Sequence, residues 1–160
     1  MRILGIESAS LVASVAIVTD DVITAEYTVN QKKTHSQTLL PMIDEIVKML
    51  EVPLESIDAI AVSGGPGSFT GLRIGSATAK GLGLALNKPL IHVPTLDATA
   101  YNLFGASGLI CPIMDARRNQ VYTGIYRFEK KFETVMDQDA MDMGELIGKL
   151  NGMGERVIFL

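Results

Sequence analysis

The sequence predicts an α/β protein made of two blocks with the same element order, each opening on a three-stranded meander. Two apolar runs ending in an acid, residues 2–7 and 109–115, are each followed by two further strand-like runs and then a helix-like one. A glycine-rich turn over residues 63–75 joins an apolar run to a segment rich in Ala, Leu and Gly, as where a buried strand passes into a covering helix.

Residues 2–7, 12–19 and 22–29 alternate as strands separated by short turns. Residues 34–51 read as a helix, because Leu39, Ile43, Ile46 and Leu50 form one stripe flanked by Leu40 and Val47 on one side and Met42 and Met49 on the other. A strand follows over 57–62, then a helix over 71–87, a short strand over 90–93 and a helix over 95–104. That order is βββαβαβα, and residues 105–108, Gly-Ala-Ser-Gly, mark a joint. Beyond it lie strands at 109–115, 120–128 and 131–136, a helix at 141–150 ending before Asn151 and Gly152, and a strand at 156–160. The second block, βββαβ, repeats the first five elements of the first and then stops. The expected domains are therefore 1–108, a first lobe, and 109–160, the start of a truncated second lobe whose missing part would cover apolar surface.

Bulk properties narrow the function. The net charge of −4 argues against a protein that grips nucleic acid unaided, which needs a basic patch. Apolar content of 48% sits high and points to surface that a partner covers. One cysteine, Cys111, excludes an internal disulfide, fits a reducing cytoplasm and sits in an apolar run as a core thiol. No segment reaches the ~20 apolar residues that span a membrane, so no membrane partner is expected.

The run GGPGSFTGLRIG at residues 64–75 is the densest motif. Its glycines permit a close backbone approach, and Pro66 stiffens the turn. Two readings stand: amides presented to an anion, or a tight turn where a helix packs closely on a sheet. It lacks the G-K-[ST] of a Walker A loop and the GxGxxG spacing.

Together with MDARRNQVY at residues 114–122, this run closely resembles the TsaB (YeaZ) family. The resemblance covers the whole chain and implies the duplicated ribonuclease-H-like, actin-like (ASKHA) fold. It implies a cytoplasmic subunit, not an enzyme by itself, that binds and activates the related transferase TsaD in the complex making threonylcarbamoyladenosine in tRNA. TsaE, a P-loop ATPase, would join the complex, tRNA would be reached only through it, and a homodimer would form when TsaD is absent. Two alternatives come from other classes: a catalytic ASKHA protein, either a TsaD-like threonylcarbamoyl transferase or a glycoprotease-like M22 peptidase relative, and a self-associating structural module.

The site residues follow from that resemblance. In actin relatives each lobe opens with a hairpin touching phosphate; here the equivalents hold Glu7 and Ser8, then Asp115, Arg117 and Arg118, with Gly65, Gly67 and Ser68 on the glycine-rich turn. These are read as remnants of phosphate contact, with no nucleotide or other cofactor held by this chain. TsaD-like enzymes carry an H-x-x-x-H metal pair at a helix start; Thr95 and Thr99 stand there instead, and Asp97 alone builds no metal site. His35 reads as a capping or surface residue and His92 as a strand residue. The serines of the turn do not meet the G-x-S-x-G elbow, so no catalytic residue is assigned. A partner interface is expected on the first two helices, at Leu39, Leu40, Ile43, Ile46, Val47, Leu72, Gly75, Ser76, Ala79 and Gly83. The glycine and alanine spacing allows close approach, by the sheet or by a partner: Gly75, Ala79 and Gly83 recur every four residues, as do Ala77, Gly81 and Ala85.

Overall fold

Alternation in the first thirty residues becomes a meander of β1 (Arg2–Glu7), β2 (Ala13–Thr19) and β3 (Val22–Val29) in a computed structural model that describes residues 1–30 and 34–160. β1 and β2 pair antiparallel, with Leu4 opposite Ile17 and Ile6 opposite Val15. All four point to one face and are buried, as a period of two requires. The chain covers that face with α1 (His35–Met49), passes a single 3₁₀ turn at Leu54–Ser56 and returns as β4 (Ala59–Ser63), parallel to β1. Helix α2 (Phe69–Leu86) then leads to β5 (Leu90–Val93), parallel to β4, giving the sheet order β3-β2-β1-β4-β5.

Helix α1 buries Leu39, Met42, Ile43 and Ile46, one stripe at i, i+3, i+4 and i+7, against the sheet. Met42, expected at the flank, belongs to this stripe, whereas Leu40 and Met49 stand in solvent. Helix α2 starts two residues earlier than its glycine pattern suggested, because the Ser68 hydroxyl accepts the Gly71 amide proton at 3.2 Å and caps it. Asn87, left-handed at φ 53°, ends it.

The second unit holds α3 (Thr95–Tyr101), β6 (Leu109–Cys111), β7 (Ile113–Arg117), β8 (Gln120–Phe128), β9 (Phe132–Asp142), α4 (Met143–Met153) and β10 (Val157–Phe159). The expected strand over 109–115 is split at Pro112, which has no amide to give a ladder. Both pieces pair antiparallel with one edge of β8, β9 takes the other edge, and β10 runs parallel to β6. The order is thus β9, β8, β6/β7, β10, which matches β3, β2, β1, β4, with α4 in the connection that α1 fills. The βββαβ repeat read from the sequence is present in the topology.

Three expectations change. Strand β9 runs to Asp142 rather than stopping near Met136, since its pairing with β8 continues to Gln120 opposite Asp142. Helix α4 therefore begins at Met143, where the Asp142 carboxylate accepts the Gly144 amide proton at 2.7 Å. The boundary also moves. The compact units are Met1–Pro94 and Thr95–Leu160, so α3 leaves the expected 1–108 lobe. Leu96 and Ala100 are buried among Ile110, Tyr126 and Phe128, and that packing outweighs the glycine-marked joint at 105–108.

The units differ in covering. In the first, α2 lies on β4 and β1 beside α1. In the second, the face beside α4 over Ile113, Val157 and Phe159 is an apolar groove of about 520 Å³. Among the described residues no helix is long and apolar enough to cross a membrane.

Candidate functional site

The first unit brings Glu7, Ser8, Gly65, Gly67 and Ser68 to one place, where the β1–β2 turn lies against the glycine-rich turn. Ser8 is fully buried: its amide donates to Ser63 Oγ at 3.2 Å and its hydroxyl to the Gly71 carbonyl at 3.0 Å. The Ser68 amide donates to the Ala9 carbonyl at 2.6 Å, and the Glu7 carboxylate accepts the Ala9 amide proton. A methyl group on Gly67 would strike Ala9, and one on Gly71 would strike the Ser8 carbonyl. At both positions glycine allows a close approach to the β1–β2 turn.

The second unit brings Asp115, Arg117 and Arg118 together on the β7–β8 hairpin. Arg117, Arg118 and Asn119 are all left-handed, at φ 65°, 52° and 64°, and the Asp115 carboxylate holds the Arg117 amide at 2.7 Å. Asn119 Nδ2 donates to Asp142 at 3.1 Å, which ties the hairpin to the α4 cap. Both arginine side chains stand in solvent.

No metal chemistry is assembled from the candidates. The Thr99 hydroxyl donates back to the Thr95 carbonyl at 2.8 Å, and Asp97 accepts the Tyr126 hydroxyl at 2.8 Å. Among the described residues no group of three or more His, Cys, Asp or Glu side chains could hold a metal ion. The His35 Nε2–H donates to the Ser10 carbonyl at 2.9 Å, and the His92 ring lies against Gly64. Cys111 is buried beside Thr123, 3.3 Å from its hydroxyl. Burial pushes its thiol up, against a smaller opposing pull from that hydroxyl. Burial, with the Asp97 hydrogen bond second, raises the Tyr126 hydroxyl far above the ordinary tyrosine range.

The expected partner interface needs a correction. Leu39, Ile43, Ile46, Gly75, Ala79 and Gly83 are buried within their own unit, so they are not partner-facing. On α2 the reason is steric: a methyl on Gly75 would strike the Ser8 hydroxyl, and one on Gly83 would press on Leu90 and the Lys88 carbonyl. Leu40 is exposed, and Val47, Leu72 and Ser76 are half-buried. The other small stripe, Ala77, Gly81 and Ala85, faces solvent, and nothing lies within contact of Gly81's open side. Leu84 beside it is 87% exposed. The sequence carried both stripes at the same spacing; only the glycine sites meeting the sheet distinguish them.

The repeated βββαβ sheets and covering helices define an actin-like, ribonuclease-H-like α/β protein. A solved ROK hexokinase from Thermus thermophilus shares that fold, with a TM-score of 0.51 at 14% identity over 82% of this chain and 47% of its own. The family model described as TsaD, tRNA N6-adenosine threonylcarbamoyltransferase, matches residues 22–157. The chain is similar to the tRNA threonylcarbamoyladenosine biosynthesis protein TsaB of Bacillus subtilis, 35% identical over 162 residues, covering all of this chain and 70% of that protein. It is similar in structure to YeaZ from Pseudomonas aeruginosa, with a TM-score of 0.77 at 29% identity over 88% of this chain and 66% of that one. The chain belongs to the TsaB (YeaZ) family, within the superfamily that includes TsaD.

Proposed function

We propose that this chain works in tRNA threonylcarbamoyladenosine biosynthesis as a non-catalytic subunit that binds and activates TsaD. Family membership supports the pathway. The observation that carries the subunit role is the outer surface of α1 and α2: Leu84 stands in solvent beside the open stripe Ala77, Gly81 and Ala85 on α2, and Leu40 is exposed on α1. An exposed small-residue stripe lets another backbone approach closely, and exposed leucines give that contact apolar area. A homodimer uses this face when TsaD is absent. TsaE joins the larger complex, and tRNA is reached through the complex. The engaged donors around Ser8 and Ser68 support a chain that holds no nucleotide, and its work is cytoplasmic.

Sedimentation of the chain with TsaD tests this reading. A complex that forms with the wild type and weakens with Leu84→Asp supports it. Equal binding by both overturns the interface, and no binding by the wild type overturns the subunit role.

A further inference from the structure

We propose that the β1–β2 turn, Ser8 to Ser10, is a polar joint that sets the first turns of both α1 and α2, and that the glycine-rich segment serves this joint instead of taking a phosphoryl group. Three consecutive turn residues between them grip β4, α2 and α1. The Ser8 amide holds Ser63 at the end of β4, and its hydroxyl holds the Gly71 carbonyl in the first turn of α2. The Ala9 carbonyl takes the amide of Ser68, the α2 cap, and the Ser10 carbonyl takes the Nε2–H of His35, the first residue of α1. A methyl on Gly71 would also press on the His35 ring, so the α1 imidazole lies directly over the α2 start.

A loop that cradles phosphate keeps its amides turned toward the ligand. Here the Gly64 amide donates to Val93, Ser68 to Ala9, Gly71 to the Ser68 hydroxyl and Leu72 to the Ser68 carbonyl. Ala9 fills the space that Gly67 leaves. Both helices carry the face assigned to TsaD, so the joint fixes their register for that contact; this consequence alone rests on the function proposed above.

Amide hydrogen exchange on the isolated chain tests the joint without any partner. His35→Ala should speed exchange in the first turns of α1 and α2 about fivefold, the effect of losing one solvent-exposed hydrogen bond of about 1 kcal/mol, and leave β4 unchanged. His35→Gln, whose amide nitrogen can replace Nε2, should restore the wild-type rates. Uniform acceleration across the unit, or none, overturns the joint. Titration with inorganic phosphate and with Mg-ATP should give no saturable shift in the amides of residues 64–72; a saturable shift overturns it as well. TsaD binding by the same variants then reads the partner claim separately.

Discussion

Arginine at position 79 and arginine at position 77 should fail in opposite ways, although the sites are only two residues apart along α2. Ala79 is fully buried in the core cluster formed by β1, β2, β4 and α1. A guanidinium there has no carboxylate partner, and removing such a charge from water costs about 3–5 kcal/mol. Overpacking a filled site adds ~1–3 kcal/mol. Against a total stability of about 5–15 kcal/mol, Ala79→Arg should leave the first unit barely folded. Its urea midpoint should fall by about 2 M or more, taking a slope of 1–3 kcal/mol per molar. Ala77 is exposed. Arginine is a good helix former, so Ala77→Arg should change stability by no more than about 0.5 kcal/mol. Seated in a helix contact, however, that charge should weaken TsaD binding at least about thirtyfold, the equivalent of ~2 kcal/mol. Urea titration by circular dichroism and binding by calorimetry read the two effects independently. A folded, stable Ala79→Arg protein would refute the burial argument. An Ala77→Arg protein that folds and binds TsaD unchanged would refute the partner face.

In the second unit, Asp142→Ala should cost about 1 kcal/mol, because the carboxylate both caps α4 and holds Asn119; an unchanged urea midpoint would argue that the cap is idle. Leu146→Ala, at a site fully buried between α4 and the sheet, should cost ~2–5 kcal/mol. Alkaline pH gives a signed test. Cys111 and Tyr126 are both raised in the folded state, chiefly by burial, so their unfolded forms lose protons first. Their contribution is complete below the unfolded values of about 8.5 and 10 and is lost as pH rises through the folded ones, at up to ~1.4 kcal/mol per pH unit for each group. Tyr126→Phe should flatten the decline above about pH 10; an unaltered decline would sink the assignment.

The order of elements was legible because alternation in β1 and β2 and the stripe on α1 are strong periodic signals, repeated in β8 and α4. What escaped the sequence had specific causes. Gly105 and Gly108 look like a joint, yet a hydrophobic contact of Leu96 and Ala100 with Tyr126 and Phe128 decides where α3 belongs. Composition could not foresee that contact. The end of β9 was hidden because the strand pattern fades at Met136, whereas pairing with β8 resumes past a register shift, at Asp139 opposite Thr123, and runs on to Asp142. On α2, two small-residue stripes run at equal spacing, and the interface was expected on Gly75, Ala79 and Gly83, the one that is buried. The choice between them depends on Ser8, sixty residues upstream of the helix in sequence and directly against Gly71 and Gly75 in space. The glycine-rich motif was visible at once; its role was not, since engaged amides look the same as free ones in a sequence.

The central claim is that this chain acts through TsaD and performs no transfer of its own. The direct measurement is threonylcarbamoyladenosine formation in tRNA from the threonylcarbamoyl adenylate, with this chain alone, TsaD alone, and both. Transfer only when TsaD is present, raised by this chain and lost with Ala77→Arg, is the expected result. Transfer by this chain alone, or TsaD activity indifferent to it, would contradict the account.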